Sequence, residues 1–170
     1  ANLSWAYQHG TAGDIDMDKA LYWLTRSAEG GLADAQLRLG RSFELGIGSI
    51  QDDAQAAALY RKALGRSGGR AEVALGRLLA AGPASPMEAD EASRLFQKAM
   101  RSRHPDAYYH YGLILEQDGD LELARAVFLQ GAQLGQCEAA VKYAELGGAD
   151  LVWEQRAQWC KARPALPPQF

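Results

Sequence analysis

A step of thirty-six residues organises most of this chain. A bulky residue followed by glycine occurs at Leu39-Gly40, and the same pattern recurs thirty-six residues later at Leu75-Gly76 and again at Tyr111-Gly112. One step before the first pair lies Leu3-Ser4, where a small serine replaces the glycine. Repetition at a period of about 20 to 50 residues is typical of arrays in which similar units stack on one another. The period therefore predicts a repeat protein.

Each repeat unit is predicted to contain two helices, here termed helix A and helix B. Loop-forming stretches such as GIGS at 46–49 and GPASP at 82–86 separate them. Acidic residues such as Asp52 and Asp120 open helix B, where negative charge favours a helix N-terminus. The sequence thus predicts an all-α fold of about four to five antiparallel helix pairs. The predicted single domain covers 1–163, with units at about 1–31, 32–67, 68–103, 104–135 and 136–163, and a proline-rich tail follows at 164–170.

The repeated glycine needs a packing reason, because glycine inside a helix costs about 1 kcal/mol relative to alanine. A residue without a Cβ in helix A allows helix B of the same unit to approach closely. Alanines in helix B keep the same thirty-six-residue step until the fourth unit, which is shorter. The predicted packing residues are Gly40, Gly76 and Gly112 in helix A, and Ala20, Ala56, Ala92 and Ala124 in helix B.

The pattern resembles the Sel1-like repeats, relatives of the tetratricopeptide repeat with a slightly longer unit. Ala35, Leu39, Gly40, Phe43, Gly46 and Gly48 match the first half of that family's motif, and Asp16, Lys19, Ala20, Trp23 and Ala28 match the second half. The resemblance extends to about Gly147, although the loop at 82–84 lacks the second glycine of the motif. It implies a right-handed α-solenoid.

Two cysteines lie in the last unit, symmetrically about the glycine turn at 147–148. In an antiparallel helical hairpin, Cys137 near the start of one helix and Cys160 near the end of the other come face to face. A disulfide there is one expectation, and it would indicate a periplasmic or secreted protein. The alternative is a pair of buried free thiols, which would suit a cytoplasmic protein. The tail beyond this unit either hangs free or packs back through Leu166 and Phe170.

Composition and motifs argue against several classes of function. The net charge of −3 offers no basic surface for nucleic acid, and no stretch approaches the roughly 20 apolar residues that cross a membrane. His9, His104 and His110 lack a carboxylate or cysteine at metal-ligand spacing. No phosphate-loop, zinc-protease or nucleophile-elbow motif occurs. We therefore expect no catalytic residues, no metal, no cofactor, no nucleic-acid partner and no membrane span.

The remaining candidate site is a surface for another protein. In related solenoids, helices A line a concave face, and helical spacing predicts which residues of this chain would face it. Two stacked arginines, Arg41 and Arg77, could bind a carboxylate of the partner. The alternative is a solvated face with ordinary charge pairs, such as Arg41 with Glu44. The predicted contact residues are Trp5, Leu37, Arg38, Arg41, Glu44, Val73, Arg77, Tyr109, His110, Leu113 and Glu116.

What is known of Sel1-like proteins implies adaptor work, such as the assembly of secretion, polysaccharide-export or signalling complexes. The first hypothesis is a non-enzymatic scaffold of the bacterial cell envelope that binds a partner through the concave face. The alternative is a periplasmic immunity protein that binds and neutralises a toxic effector, for example a phospholipase delivered by type VI secretion. A third hypothesis, a hydrolase, lacks a nucleophile–base pair in this sequence.

Overall fold

The computed structural model describes residues 17–81, 85–148 and 151–162. Across these ranges the chain forms nine helices and no strand, so it is all-α, as predicted. The helices are α1 (Met17–Glu29), α2 (Ala33–Leu45), α3 (Asp53–Ala63), α4 (Arg70–Ala80), α5 (Pro86–Arg101), α6 (Pro105–Gln117), α7 (Leu121–Gln133), α8 (Cys137–Glu145) and α9 (Leu151–Ala162).

Polar side chains begin several of these helices. Asp52 accepts a hydrogen bond from the Gln55 backbone N at 2.9 Å, and Asp120 accepts one from Leu123 N at 3.3 Å. Each bond satisfies a backbone N–H that the first helical turn leaves without a partner. At the other end of α2, Gly46 adopts φ 67°, the left-handed conformation that glycine reaches at little cost. The predicted starts of helix B at Asp52 and Asp120 therefore have a direct hydrogen-bonding basis.

The chain divides into two compact bodies, which we describe separately. The N-terminal body runs to Leu95 and the C-terminal body begins at Phe96. In the N-terminal body, α2 packs on α1 and α3, and α4 packs on α3. Its core contains two clusters of buried side chains. The first comprises Leu37, Ala56, Tyr60, Ala63, Ala71, Leu75 and Leu95. The second comprises Leu24, Ala28, Ala35 and Leu39.

In the C-terminal body, α7 packs between α6 and α8, and α9 packs mainly against α8. Phe128 of α7 is fully buried at the centre of this core. The disulfide between Cys137 and Cys160 joins the start of α8 to the end of α9, with the two Cα atoms 5.4 Å apart. The core cluster comprises Tyr108, Leu115, Ala124, Val127, Phe128 and Ala139.

The glycines of helix A lie against aromatic rings of helix B. A Cβ on Gly40 would lie 2.6 Å from Cε1 of Tyr60, and one on Gly112 would lie 2.5 Å from Cε1 of Phe128. Both distances are far shorter than a carbon–carbon contact permits. Gly76 is also buried. The predicted alanines of helix B, Ala20, Ala56, Ala92 and Ala124, are all 0 % exposed.

Candidate functional site

The α2 and α4 helices of the N-terminal body present arginines at matching positions of two repeat units. Gly40 and Gly76 are buried, and the residue after each, Arg41 or Arg77, is exposed. Two further arginines lie on the same helix faces, within two turns of these. We call the four residues Arg38, Arg41, Arg70 and Arg77 the arginine surface.

Asp34 joins two of these arginines across the repeat boundary. Arg38 Nε donates to Asp34 Oδ2 at 2.9 Å, and Arg70 Nη1 donates to Asp34 Oδ1 at 2.8 Å. Partial burial of Asp34 opposes ionisation, but the hydrogen bonds from Arg70 and Arg38 outweigh it and lower the pKa of the carboxyl group. Asp34 is therefore ionised at neutral pH, and it holds one guanidinium from each helix.

Glu44 of α2 forms an ion pair with Arg77 of α4 and so fixes its position. Arg77 Nη2 donates to Glu44 Oε1 at 3.2 Å, while the Tyr60 hydroxyl donates to Glu44 Oε2 at 2.5 Å. Tyr60 is only 1 % exposed. Burial, followed by the hydrogen bond to Glu44, raises its pKa far above the ordinary tyrosine value. Tyr60 therefore stays protonated and fixes the carboxylate that faces Arg77.

Arg41 is exposed and forms no ion pair with any residue in the described ranges. Glu44, three residues away on the same helix, pairs with Arg77 instead. Asp34 pairs with Arg38 and Arg70, and Glu44 pairs with Arg77, so the four guanidinium groups of the arginine surface are matched by two carboxylates among the described residues. Positive charge therefore exceeds negative charge on this surface.

The predicted contact residues of the C-terminal body lie on α6. His110 stacks on Phe96, with ring centroids 5.4 Å apart, and Tyr109 meets His110 edge to face at 5.2 Å. Tyr109, His110 and Leu113 are each half-buried. Because these rings contact one another, α6 exposes only part of each ring to solvent.

Glu116, at the end of α6, is paired with α8. Lys142 Nζ donates to both carboxylate oxygens of Glu116, at 3.0 and 2.9 Å. This hydrogen bonding raises the pKa of Lys142, although partial burial opposes the rise. The two side chains thus neutralise each other.

Two predicted contact residues are not available to a partner. Leu37 is 6 % exposed and Val73 is 5 % exposed, so the expectation that they face a groove is wrong. Leu37 belongs to the core cluster that contains Ala71 and Leu75 of α4, because the helix A of the next unit covers this side of α2. The prediction for Trp5 lies outside the described residues.

The sequence pattern identifies Glu44 but not two other groups on which this surface depends, the carboxylate of Asp34 and the hydroxyl of Tyr60. Asp34 and Arg70 lie thirty-six residues apart at the same repeat position with opposite charges, and this spacing could have suggested their pairing. The repeat pattern indicates no hydrogen-bonding role for Tyr60. Its hydrogen bond to Glu44 depends on the depth at which the ring is buried, which the repeat pattern does not specify.

Within the described ranges, no group of three or more His, Cys, Asp or Glu side chains is arranged to hold a metal ion. Each helix of the same ranges is either too short or too polar to traverse a lipid bilayer.

Comparison with known proteins identifies the repeats. The family model described as Sel1 repeat matches residues 1–32, 33–64 and 105–136, which together are more than half of the chain. A search of curated proteins found no match.

Two solved structures share the fold. The crystal structure of a Sel1 repeat protein from Oxalobacter formigenes superposes with a TM-score of 0.82 at 26 % identity, over 95 % of this chain and 71 % of that one. A protective antigen present in uropathogenic Escherichia coli strains, which displays an SLR fold, superposes with a TM-score of 0.80 at 20 % identity, over 94 % of this chain and 36 % of that longer chain. The repeat matches and both superpositions agree with an all-α array of repeated helix pairs. The chain is an all-α repeat solenoid that belongs to the Sel1 repeat family.

Proposed function

We propose that this chain is a non-enzymatic adaptor that binds a partner protein through the arginine surface. Sel1 repeats typically mediate protein–protein interaction. The observation that carries the proposal is the excess of guanidinium groups, with Arg41 unpaired among the described residues and Arg77 held in place by Glu44. Arginine is enriched at the energetic centres of interfaces, where it binds carboxylates through two parallel hydrogen bonds.

The partner is expected to present aspartate or glutamate side chains to this surface. Arg70 and Arg77 keep about half of their side-chain surface exposed even though each forms an ion pair. Each guanidinium therefore has further N–H donors available. Tyr109, His110, Leu113 and Glu116 of α6 remain proposed contacts of the C-terminal body.

We place the protein in the bacterial periplasm or outside the cell. The support is the disulfide between Cys137 and Cys160, because disulfides persist in oxidising compartments and are reduced in most cytosols. An adaptor of the cell envelope and a periplasmic immunity protein are both compatible with this location. The two roles differ in the required affinity, since an inhibitor of a toxin must bind at about nanomolar Kd or better, while an adaptor can act at about micromolar Kd.

The test compares charge variants in capture from an envelope extract, with partners identified by mass spectrometry. Arg41→Glu changes an exposed residue that has no ion pair in the described chain, so it should leave the fold intact. We expect it to weaken capture of the true partner by at least about tenfold, because a reversed charge at an interface costs several kcal/mol. The affinity of the purified pair then distinguishes an immunity protein from an adaptor.

A matched control makes the same charge reversal at another exposed position of the N-terminal body. Arg26 of α1 is also an exposed arginine, and Arg26→Glu should capture the partner as the wild type does. If Arg41→Glu and the control bind the partner equally well, with thermal unfolding unchanged in both, the proposed site is incorrect.

A further inference from the structure

The C-terminal body contains a cavity beside the disulfide. Its volume is about 350 Å³, and its walls come from α6, α8 and the end of α9. The disulfide between Cys137 and Cys160 lies in the wall and ties the end of α9 to the start of α8. The other residues that matter for its chemistry are Tyr109, Glu138, Val141, Lys142, Glu145 and Lys161.

The charged groups in the cavity leave one carboxylate unmatched. Lys142 is neutralised by Glu116, which accepts both of its hydrogen bonds. Lys161 Nζ lies 3.4 Å from Glu145 Oε1. Glu138 is exposed, and within the described residues its carboxylate has neither an ion pair nor a hydrogen bond. Glu138 is therefore the one charged residue of this lining whose carboxylate is unmatched within the described residues.

The remaining wall suits the stem of a long cationic side chain. Tyr109 and Val141 are half-buried and line the cavity. Lysine and arginine lay their methylene groups along such apolar surface while the charged head reaches a carboxylate or an aromatic face. A tyrosine ring, an aliphatic side chain and a free carboxylate thus meet in one concave site.

We propose that this cavity receives a lysine or arginine side chain of the partner protein. The inference rests on the proposed function, since it assumes that the partner is a protein. It concerns a different part of the molecule from the arginine surface, and it assigns the opposite charge to the partner group that docks there. Glu138 binds the cationic head, and Tyr109 and Val141 contact the stem.

The first test uses a small probe with the full chain, so that it does not depend on knowing the partner. Nα-acetyl-arginine amide is titrated to millimolar concentrations and followed by backbone amide shifts in NMR spectra. Nα-acetyl-citrulline amide is the control probe, because it has nearly the same shape and no charge. We expect the arginine probe to shift amides near Tyr109, Glu138 to Glu145 and Cys160, and the citrulline probe to shift them much less.

Glu138→Gln should weaken binding of the arginine probe by about two- to fivefold, the range typical of an exposed ion pair. Glu154→Gln is the matched control, because Glu154 is also an exposed acid in the first turn of its helix. It should leave binding unchanged. Equal shifts with both probes, or equal weakening by both variants, would overturn the inference.

The partner itself provides the second test. Glu138→Arg should reduce its affinity, and Glu154→Arg should not. If Arg41→Glu abolishes partner binding but Glu138→Arg does not affect it, the adaptor function stands and the cavity inference fails. If Glu138→Arg abolishes partner binding but Arg41→Glu does not affect it, the cavity is supported and the arginine surface is not the docking site.

Discussion

The hydroxyl of Tyr60 links the N-terminal core to an ion pair at its surface. The ring fills the space beside Gly40, where any Cβ would overlap it, and the hydroxyl donates to Glu44. Glu44 in turn holds Arg77. A single buried residue thus contributes both apolar packing and the orientation of a proposed contact arginine, and these two contributions can be separated by mutation.

Tyr60→Phe should keep the packing and remove the hydrogen bond. Hydrogen bonds to charged groups contribute about 1.5–3 kcal/mol, so we expect the free energy of unfolding to fall by about 1–2 kcal/mol, because Glu44 can partly rehydrate. Urea denaturation measures the change. Tyr22→Phe is the control, since Tyr22 is 57 % exposed on α1. If the Tyr60→Phe variant is as stable as this control, the hydroxyl of Tyr60 does not contribute to the free energy of unfolding.

Among the helices, α9 depends most on a covalent bond. Only Ala157 is buried among its residues, whereas five residues of α7 are buried. Trp153 contacts Tyr143 edge to face at 6.1 Å, and the ion pair between Lys161 and Glu145 is exposed and contributes little. A helix of 12 residues is marginal in water without tertiary contacts. The disulfide therefore compensates for weak packing.

Replacing Cys137 and Cys160 together by serine should lower the free energy of unfolding by about 3 kcal/mol, the value expected from loop closure. Urea denaturation of the variant and of wild-type protein, with and without dithiothreitol, measures this effect. Reduced wild-type protein should behave like the variant. If the variant resists urea as well as the oxidised protein does, α9 is held by its packing and the disulfide is dispensable.

At the level of helices, the sequence predicts the order of the helices, but it does not predict which residues of each helix are exposed. The thirty-six-residue step and acidic starts such as Asp52 predict helices A and B correctly, because capping and apolar periodicity are local properties. Helical spacing places Leu37 on an open face, but its exposure depends on how the next helix A packs, which is a long-range property. The unmatched carboxylate of Glu138 was missed for the same reason, since its cavity forms only when α6, α8 and α9 are assembled.

On the scale of the whole molecule, the two proposed contact regions differ in charge. The arginine surface has an excess of guanidinium groups, and the cavity beside the disulfide has an unmatched carboxylate. A partner that engages both must therefore present acidic and basic side chains, which argues against a uniformly charged segment. The repeat pattern also predicts a single domain over 1–163. The division into two compact bodies does not test this prediction, so it stays a prediction.

Three carboxylates of the N-terminal body make its stability depend on pH. Asp34 has a lowered pKa because the hydrogen bonds from Arg70 and Arg38 exceed the opposing effect of burial. Hydrogen bonds from Gln55 lower the pKa of Asp52, and hydrogen bonds from Ser85 lower that of Glu88. Each group has a lower pKa in the folded chain than in the unfolded chain, where the values are about 3.9 for aspartate and 4.3 for glutamate.

The unfolded chain consequently binds more protons than the folded chain at acidic pH, so stability must fall as pH falls. The contribution of the three groups is complete above their unfolded pKa values and is lost as pH drops through the lower, folded values. We expect the urea midpoint of the wild type to decrease steadily from about pH 5 to pH 2. In a triple variant, Asp34→Asn, Asp52→Asn and Glu88→Gln, the urea midpoint should be lower than that of the wild type at pH 7. It should also decrease less between about pH 5 and pH 2. Asparagine also caps helices well, so the variant should remain folded. Parallel curves for the two proteins would mean that other carboxylates govern the acid response.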